Sequence, residues 1–247
     1  MISHPDPFSA FLQTLNNEGY EVDVIRETPE HPVRLKRNGS KDKNGWYYFH
    51  LFKTRAGAVI GYGYYGDWRE SDSHKEWYSI KEAAIASEDS VLFSVEREQQ
   101  KKRSEQAKTQ QQATAAKKAK AFIAGAIQVA EHPYLTGKGV KAFGIMERDG
   151  LLVVPLSNSG GDILSYQTIS NRGDKRYLKG GKRIGLYHLI GNIRERVYVV
   201  EGYATGATVH ELTGDAVVVA FDTSGLRPAL AELRKVSPGQ VVFAGDN

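Results

Sequence analysis

Apolar positions change period along the chain, and the changes divide it. Phe8, Phe11, Leu12 and Leu15 recur at helical spacing. Asp6-Pro7 ahead of them supplies an N-cap and a proline at the first helical position, and Asn17 to Gly19 end the helix. Aromatic and β-branched runs follow, YEVDVI, VRLKR, WYYFHLF and AGAVIGYGYYGDW, with a turn at NGSKDKNG. Such runs between Gly, Asn and Asp clusters predict a small, mostly antiparallel sheet, so residues 1–85 read as an α+β domain.

The pattern then loses its apolar positions. Between Glu96 and Lys120 there is no Gly, Pro or aromatic residue, and eight basic residues face three acidic ones. Gln, Lys, Ala, Glu and Arg are good helix formers, but no large apolar residue marks a buried face. Residues 86–130 therefore read as a long, solvated, basic helical linker.

Beyond Glu131 the apolar pattern returns. LLVVPL and ILSYQTI read as strands joined by the turn SNSGG, inside a basic, strand-rich segment over 131–195. From 196 the chain alternates. RVYVVE, AVVVAF and QVVFAGDN are Val-rich strands, GYATGATVHELTG is a helix ending in Gly214, and LRPALAELRKV is a second helix. Continuous apolar strands alternating with helices predict βαβαβ and a parallel sheet covered on both faces.

Composition narrows the class. At 247 residues, 40% hydrophobic and 25% charged, the chain is an ordinary globular sequence with room for one large or two modest domains. No apolar run approaches the ~18 residues of a spanning helix, and MISHPDPFSAFLQ lacks the layout of a signal peptide. The absence of cysteine excludes disulfides and Cys-based zinc sites and suits a reducing cytoplasm. His31, His50 and His74 lack metal-ligand spacing, so no zinc is expected.

Candidate chemistry lies at the strand ends. In open parallel sheets, sites form beyond the carboxyl ends of the strands. Glu201, Asp222 and Asp246 occupy such ends. If the first and third strands are neighbours, Glu201 and Asp246 share a crevice, where mutual repulsion invites a cation. Mg²⁺ typically uses one or two carboxylates, with phosphates and waters completing its shell. Gly202 would let a phosphate or metal approach the backbone. A strand-end Glu before a helix also serves as a plain N-cap or dipole partner, and spacing alone leaves that alternative open.

Two basic stretches add to this. Arg172, Lys175, Arg176, Lys179, Lys182 and Arg183 stand against Asp174, with Gly180 and Gly181 in their midst. Cations with a flexible turn suit phosphate binding; a solvated basic loop has the same composition. Arg34 to Arg55 holds seven cations and one Asp around Trp46, Tyr47, Tyr48, Phe49 and Phe52. Cations among aromatics can hold single-stranded nucleic acid, while alternating aromatics also build a core.

The run VVEGYATGATVHELTG, followed by VVVAFDTSGL and VVFAGDN, resembles the Toprim fold. More closely, it resembles the primase domain of plasmid conjugative primases and of phage and satellite-phage primase-helicases. HPYLTGKGV, DGLLVVPLSNSGGDILSYQTI, KRYLKGGKRIGLYHLIG, NGWYYFHLF and GDWRESDSHKEW are similar to stretches of that family, in the same order. The likeness covers most of the chain and is weakest over 1–30 and 90–125. It implies a DNA primase that joins ribonucleoside triphosphates on a single-stranded DNA template. Mg²⁺ (or Mn²⁺) would assist, with a helicase in cis or in trans as partner. Glu201 is similar to the Toprim glutamate, a metal ligand and acid/base, and Asp246 to the first acid of its Asp-x-Asp motif. The basic motif 172–183 would bind nucleotide and DNA. The second aspartate would fall one residue past Asn247, which implies either a Toprim domain continuing beyond this chain or a missing ligand; an open sheet edge favours continuation. A Toprim nuclease and a non-catalytic DNA-binding or recruitment module are the alternatives.

Overall fold

The computed structural model describes residues 6–28, 30–68, 74–80, 85, 87–129, 131–237 and 239–245. They form a mixed α/β structure in two compact units, 1–109 and 110–247.

The first unit holds helix α1 (Pro7–Asn17) and strands β1 (Tyr20–Glu21), β2 (Val33–Arg37), β3 (Gly45–Lys53), β4 (Val59–Asp67) and β5 (Lys75–Tyr78). The strands pair in chain order, every pair antiparallel. Asp6 caps α1, its carboxylate accepting the Ser9 N–H at 3.0 Å. Side-chain alternation divides the aromatics of β3 between two faces. Tyr47, Phe49 and Leu51 meet α1, where Phe11 stacks on Phe49 at 5.2 Å. Trp46, Tyr48, His50 and Phe52 take the other face.

His50 is buried there between Tyr48 and Tyr62. Burial holds its imidazole down to about 4. A depressed histidine pKa leaves stability intact above the unfolded value, about 6.5, and removes it as pH falls toward the folded value. At pH 4.5 the loss from His50 amounts to roughly 2–3 kcal/mol relative to pH 7. Urea unfolding at both pH values should show His50→Phe losing that much less stability than wild type; equal losses would refute the assignment.

Helix α2 (Ser87–Ala124) contributes to both units. In the first, Phe93 packs with Phe52, Ile60 and Tyr62. In the second, Ala115, Ala119 and Ile123 are buried. Within 96–120 the buried positions are thus two alanines one turn apart, Ala115 and Ala119. Phe122 stacks on Tyr166 at 4.7 Å, beneath the Arg148 guanidinium.

The second unit continues with β6 (Ile127–Gln128), α3 (Pro133–Lys138), β7 (Met146–Arg148), β8 (Leu151–Ser157), β9 (Ile163–Ile169) and β10 (Lys175–Tyr177). These strands form an antiparallel sheet in the order β10-β9-β8-β7-β6. Then come β11 (His188–Ile190), β12 (Arg196–Val200), α4 (Tyr203–Thr213), β13 (Ala216–Val219), α5 (Thr223–Leu233) and β14 (Gln240–Phe243). Their sheet runs β11-β13-β12-β14. β13 and β14 lie parallel to β12 on its two sides, and β11 adds an antiparallel edge that three residues could not signal by periodicity. Reciprocal backbone bonds between Ser157 and Tyr187 join the two sheets.

Both faces of the α/β sheet are covered. Val200, Val217 and Val219 pack against Tyr203 and Ala207 of α4 and against Leu152, Val154 and Ile169 of the antiparallel sheet. Val197, Val199 and Val218 pack against Ala229 and Leu233 of α5. Among the described residues, no helix is long and apolar enough to cross a membrane.

Candidate phosphate-binding site at the strand tips

Parallel pairing sets the ends of β12 and β13 side by side, and the Ala220 N–H donates to the Val200 carbonyl at 2.9 Å. Glu201, the next residue after β12, is exposed. Gly202 is the N-cap of α4, in extended backbone at φ −109°, with no side-chain capping bond. The N-terminal end of α4, whose partial positive charge favours anions, therefore follows Glu201 directly in the chain. A Cβ on Gly202 would meet only ordinary contacts, Thr205 Oγ1 at 3.7 Å and Lys175 Nζ at 3.8 Å. The backbone does not demand glycine here; what glycine supplies is space, with a lysine head at its border.

That lysine arrives from the other sheet. Strand β10 exposes Lys175 and Tyr177 on one face and Arg176 on the other. The six cations of 172–183 thus do not share one face: the pleat of β10 sets Arg176 opposite Lys175. Arg183 does return to the strand tips. Its guanidinium lies 4.6 Å over the Tyr177 ring and 3.8 Å from the Asp222 carboxylate. Both partners are partly exposed, so the ion pair contributes at most about 1 kcal/mol and serves mainly to orient. Lys179 is exposed, Lys182 half-buried, and Arg172 exposed in the turn before β10.

The glycines of this segment have a structural reason. The Gly181 N–H donates to the Leu178 carbonyl, closing a turn that puts Lys179 at its tip and Gly180 at φ +77°. A Cβ on Gly181 would fall 2.5 Å from Ser165 Oγ and 3.1 Å from the Leu178 carbonyl. Packing, rather than an approaching ligand, excludes a larger residue there.

Two residues of the site, Tyr177 and Phe221, carried no signal of their own in the sequence, and Asp222, a strand-end acid there, gains a further role. Tyr177 Oη donates to the Phe221 carbonyl at 3.2 Å. Burial, and then the Asp222 carboxylate, raises its phenol above the usual value, so the hydroxyl stays protonated as a donor. Phe221 sits at φ +72°, a left-handed conformation that costs a non-glycine residue about 1–3 kcal/mol and needs surroundings to hold it. Asp222 caps α5, accepting the Gly225 N–H at 2.7 Å, and so starts that helix earlier than LRPALAELRKV suggested. Tyr177 lies within KRYLKGGKRIG, where the signal in the sequence is charge.

β14 borders β12 in the register Val199↔Phe243, so the neighbourhood assumed for Glu201 and Asp246 holds for their strands. Asp246 itself lies outside the described residues, as does Arg69 of the GDWR stretch. Among the described residues, no three His, Cys, Asp or Glu form a metal-binding group. Of the histidines, His188 is fully buried and held neutral by that burial, with Nε2 2.9 Å from the Phe143 carbonyl.

No family model matches the chain. It is 26% identical over 258 aligned residues to a DNA primase TraC of Escherichia coli, covering 98% of this chain and 23% of the relative. A second Escherichia coli DNA primase TraC is 29% identical over 226 residues, covering 87% of this chain and 15% of the relative. The chain therefore spans under a quarter of these curated relatives. The resemblance to DNA primases is borne out by these relatives. Among solved structures, the primase fragment of the bacteriophage T7 primase-helicase overlaps 49% of this chain at 19% identity and a TM-score of 0.28. A T7 lagging-strand DNA polymerase assembly with primase domains of two gp4 subunits overlaps 46% at 18% identity and a TM-score of 0.32. Scores this low carry no weight for the arrangement of this chain.

Proposed function

We propose that the chain is the catalytic part of a DNA primase of the plasmid and phage type, with residues 196–247 belonging to a Toprim-like domain. The observation that carries this reading is the meeting of two sequence motifs at one place. The basic β10 segment reaches over the ends of β12 and β13, bringing Lys175 to Gly202 and Arg183 to Asp222. Similarity to the TraC primases over nearly the whole chain supports it.

In the reaction, the 3′-hydroxyl oxygen of a ribonucleotide attacks the α-phosphate of a second. The new O–P bond forms as the bond to pyrophosphate breaks. Lys175 and the amides at the start of α4 hold the triphosphate. Lys179, at the tip of its turn, and Lys182 extend this to the template backbone. Arg183, stacked on Tyr177 and paired with Asp222, fixes the rim of the site. Glu201 takes the proton of the attacking hydroxyl. Its exposed carboxylate beside open backbone also fits an ion that binds through few carboxylates and otherwise through phosphates and water. Magnesium, or manganese, held by Glu201 and Asp246, would supply positive charge to the phosphoryl group.

A double-label assay tests the reading: labelled ribonucleotide with an end-labelled single-stranded DNA template, in the full protein carrying this chain. Short labelled RNA on an intact template is the expected result. Template shortening without RNA would make the protein a nuclease, and binding without either would make it a recruitment module. A helicase, in cis or in trans, is the expected partner.

Charge placement gives a further expected outcome. Each phosphate contact adds roughly 0.7 to the slope of log affinity against log salt for a single strand. Lys175→Ala/Lys179→Ala should therefore flatten that slope by about 1.4. Arg176→Ala, on the opposite face of β10, should leave it unchanged in a salt titration; a flattening by about 0.7 would make Arg176 a phosphate contact as well.

A further inference from the structure

The first unit carries a groove that the strand-tip chemistry does not use. It lies between α2 and the face of the sheet turned away from α1, and its volume is about 700 Å³. That is within the range of small-ligand pockets, roughly 300–1,000 Å³. Alternation on β3 directs Trp46, Tyr48 and His50 into it, and β4 adds Tyr62 and Tyr64. His74 sits across from both strands, 5.8 Å from Trp46 and 5.4 Å from Tyr64. The residue opposite Trp46 on β4 is Gly66, which has no side chain to cover the indole.

Two details say what kind of ligand suits the groove. Its charged lining is balanced: Arg97, Lys101 and Lys108 stand against Glu76, Glu98 and Glu105. A balanced lining is a poor receptor for a run of phosphates, whose binding needs excess cations. Its floor is polar and unsatisfied. Among the described residues, the Tyr62 hydroxyl, on a side chain 1% exposed, and the Gln100 amide oxygen have no hydrogen-bond partner. One is a donor and the other an acceptor, and a buried polar group left unpaired costs about 1–3 kcal/mol.

We propose that this groove receives one unstacked base of single-stranded nucleic acid, stacked on Trp46 and Tyr48, while the phosphates of the strand are held elsewhere. The base is flat, nearly neutral and edged with donors and acceptors, which matches rings, balanced charge and an unsatisfied floor. This rests on the primase reading for the presence of a strand, and it assigns base and phosphate contacts to different residues. The outward aromatics of β3, ambiguous between core and ligand platform in the sequence, become the platform, and Tyr47 and Phe49 the core.

The test compares two single-stranded oligonucleotides of equal length, one base-bearing and one abasic throughout, with free thymidine triphosphate as a third ligand. Wild type should prefer the base-bearing strand by about tenfold, the effect of one stacked base. Binding should also quench tryptophan fluorescence with that strand and not with the abasic one, a readout that needs no variant. Trp46→Ala should remove most of the preference, and Trp46→Phe should keep much of it, with the salt slope unchanged in both. Equal affinity of wild type for the two strands, or full preference retained by Trp46→Ala, would overturn the proposal and leave the primase reading intact. A flattened slope in Trp46→Ala would make the groove a phosphate site. Equal loss of free nucleotide binding would make its occupant the incoming nucleotide. Both results contradict the assignment. Failure of wild type to bind either strand would remove the primase reading along with it.

Discussion

Tyr203→Ala is expected to destabilise the second unit by about 3–5 kcal/mol, and Tyr203→Phe by roughly 1–3 kcal/mol. The side chain is 1% exposed, and it begins α4 directly after Gly202. Its ring packs among Val200, Val219 and Leu152, so truncation leaves a cavity that a close-packed interior fills only in part. Its hydroxyl accepts the Phe143 N–H at 2.7 Å and donates to the Lys141 carbonyl at 3.3 Å. Removing the oxygen alone strands both backbone groups. Since whole domains are stable by only about 5–15 kcal/mol, the alanine variant should approach unfolding. Urea denaturation measures both costs, and a phenylalanine variant within about 0.5 kcal/mol of wild type would show that the loop 141–143 finds other partners. The same anchor fixes the start of α4, so the phenylalanine variant should also weaken nucleotide binding although the altered side chain touches no phosphate.

Much of this fold was legible because its signals are local. Asp6-Pro7 announces α1, Gly214 ends α4, and the Val-rich runs of β12, β13 and β14 read as buried parallel strands. Each rests on residue types whose preference survives tertiary context. What escaped notice depends on size or on distant contact. The buried stripe of α2 is alanine, which hides in a window of lysine and glutamine because its small side chain marks no apolar face. β11 has three residues, too few to show a period, and its place is set by pairing with β13.

The candidate site divides in the same way. Glu201 could be found from its position after a strand, since the end of a buried strand is a local feature. The basic segment could be found from its charge, but not the division within it. The pleat of β10 sends Arg176 away from Lys175, and only pairing with β9 fixes which residue faces the strand tips. Tyr177 and Phe221 join the site through a hydrogen bond between residues 44 positions apart. No spacing rule reaches across that distance. Gly181 reads in the sequence as part of a flexible turn, and the structure adds a packing requirement against Ser165, because composition does not distinguish those two uses of glycine.

The most direct test of the strand-tip site is primer synthesis by Glu201→Gln, measured as magnesium-dependent ribonucleotide incorporation on a single-stranded template in the full protein. The substitution is nearly isosteric and removes one negative charge from an exposed side chain, so the unfolding free energy should stay within about 0.5 kcal/mol of wild type. The charge is nonetheless what both assigned roles need. A neutral amide cannot take the proton of the attacking hydroxyl, and it is a poor ligand for a hard divalent cation. Loss of general-base action alone lowers rates by about 10²–10⁴-fold. Incorporation should therefore fall by at least a factor of about 100, and magnesium should no longer tighten nucleotide binding. Incorporation within about threefold of wild type, with the magnesium effect on binding preserved, would move the chemistry away from the end of β12.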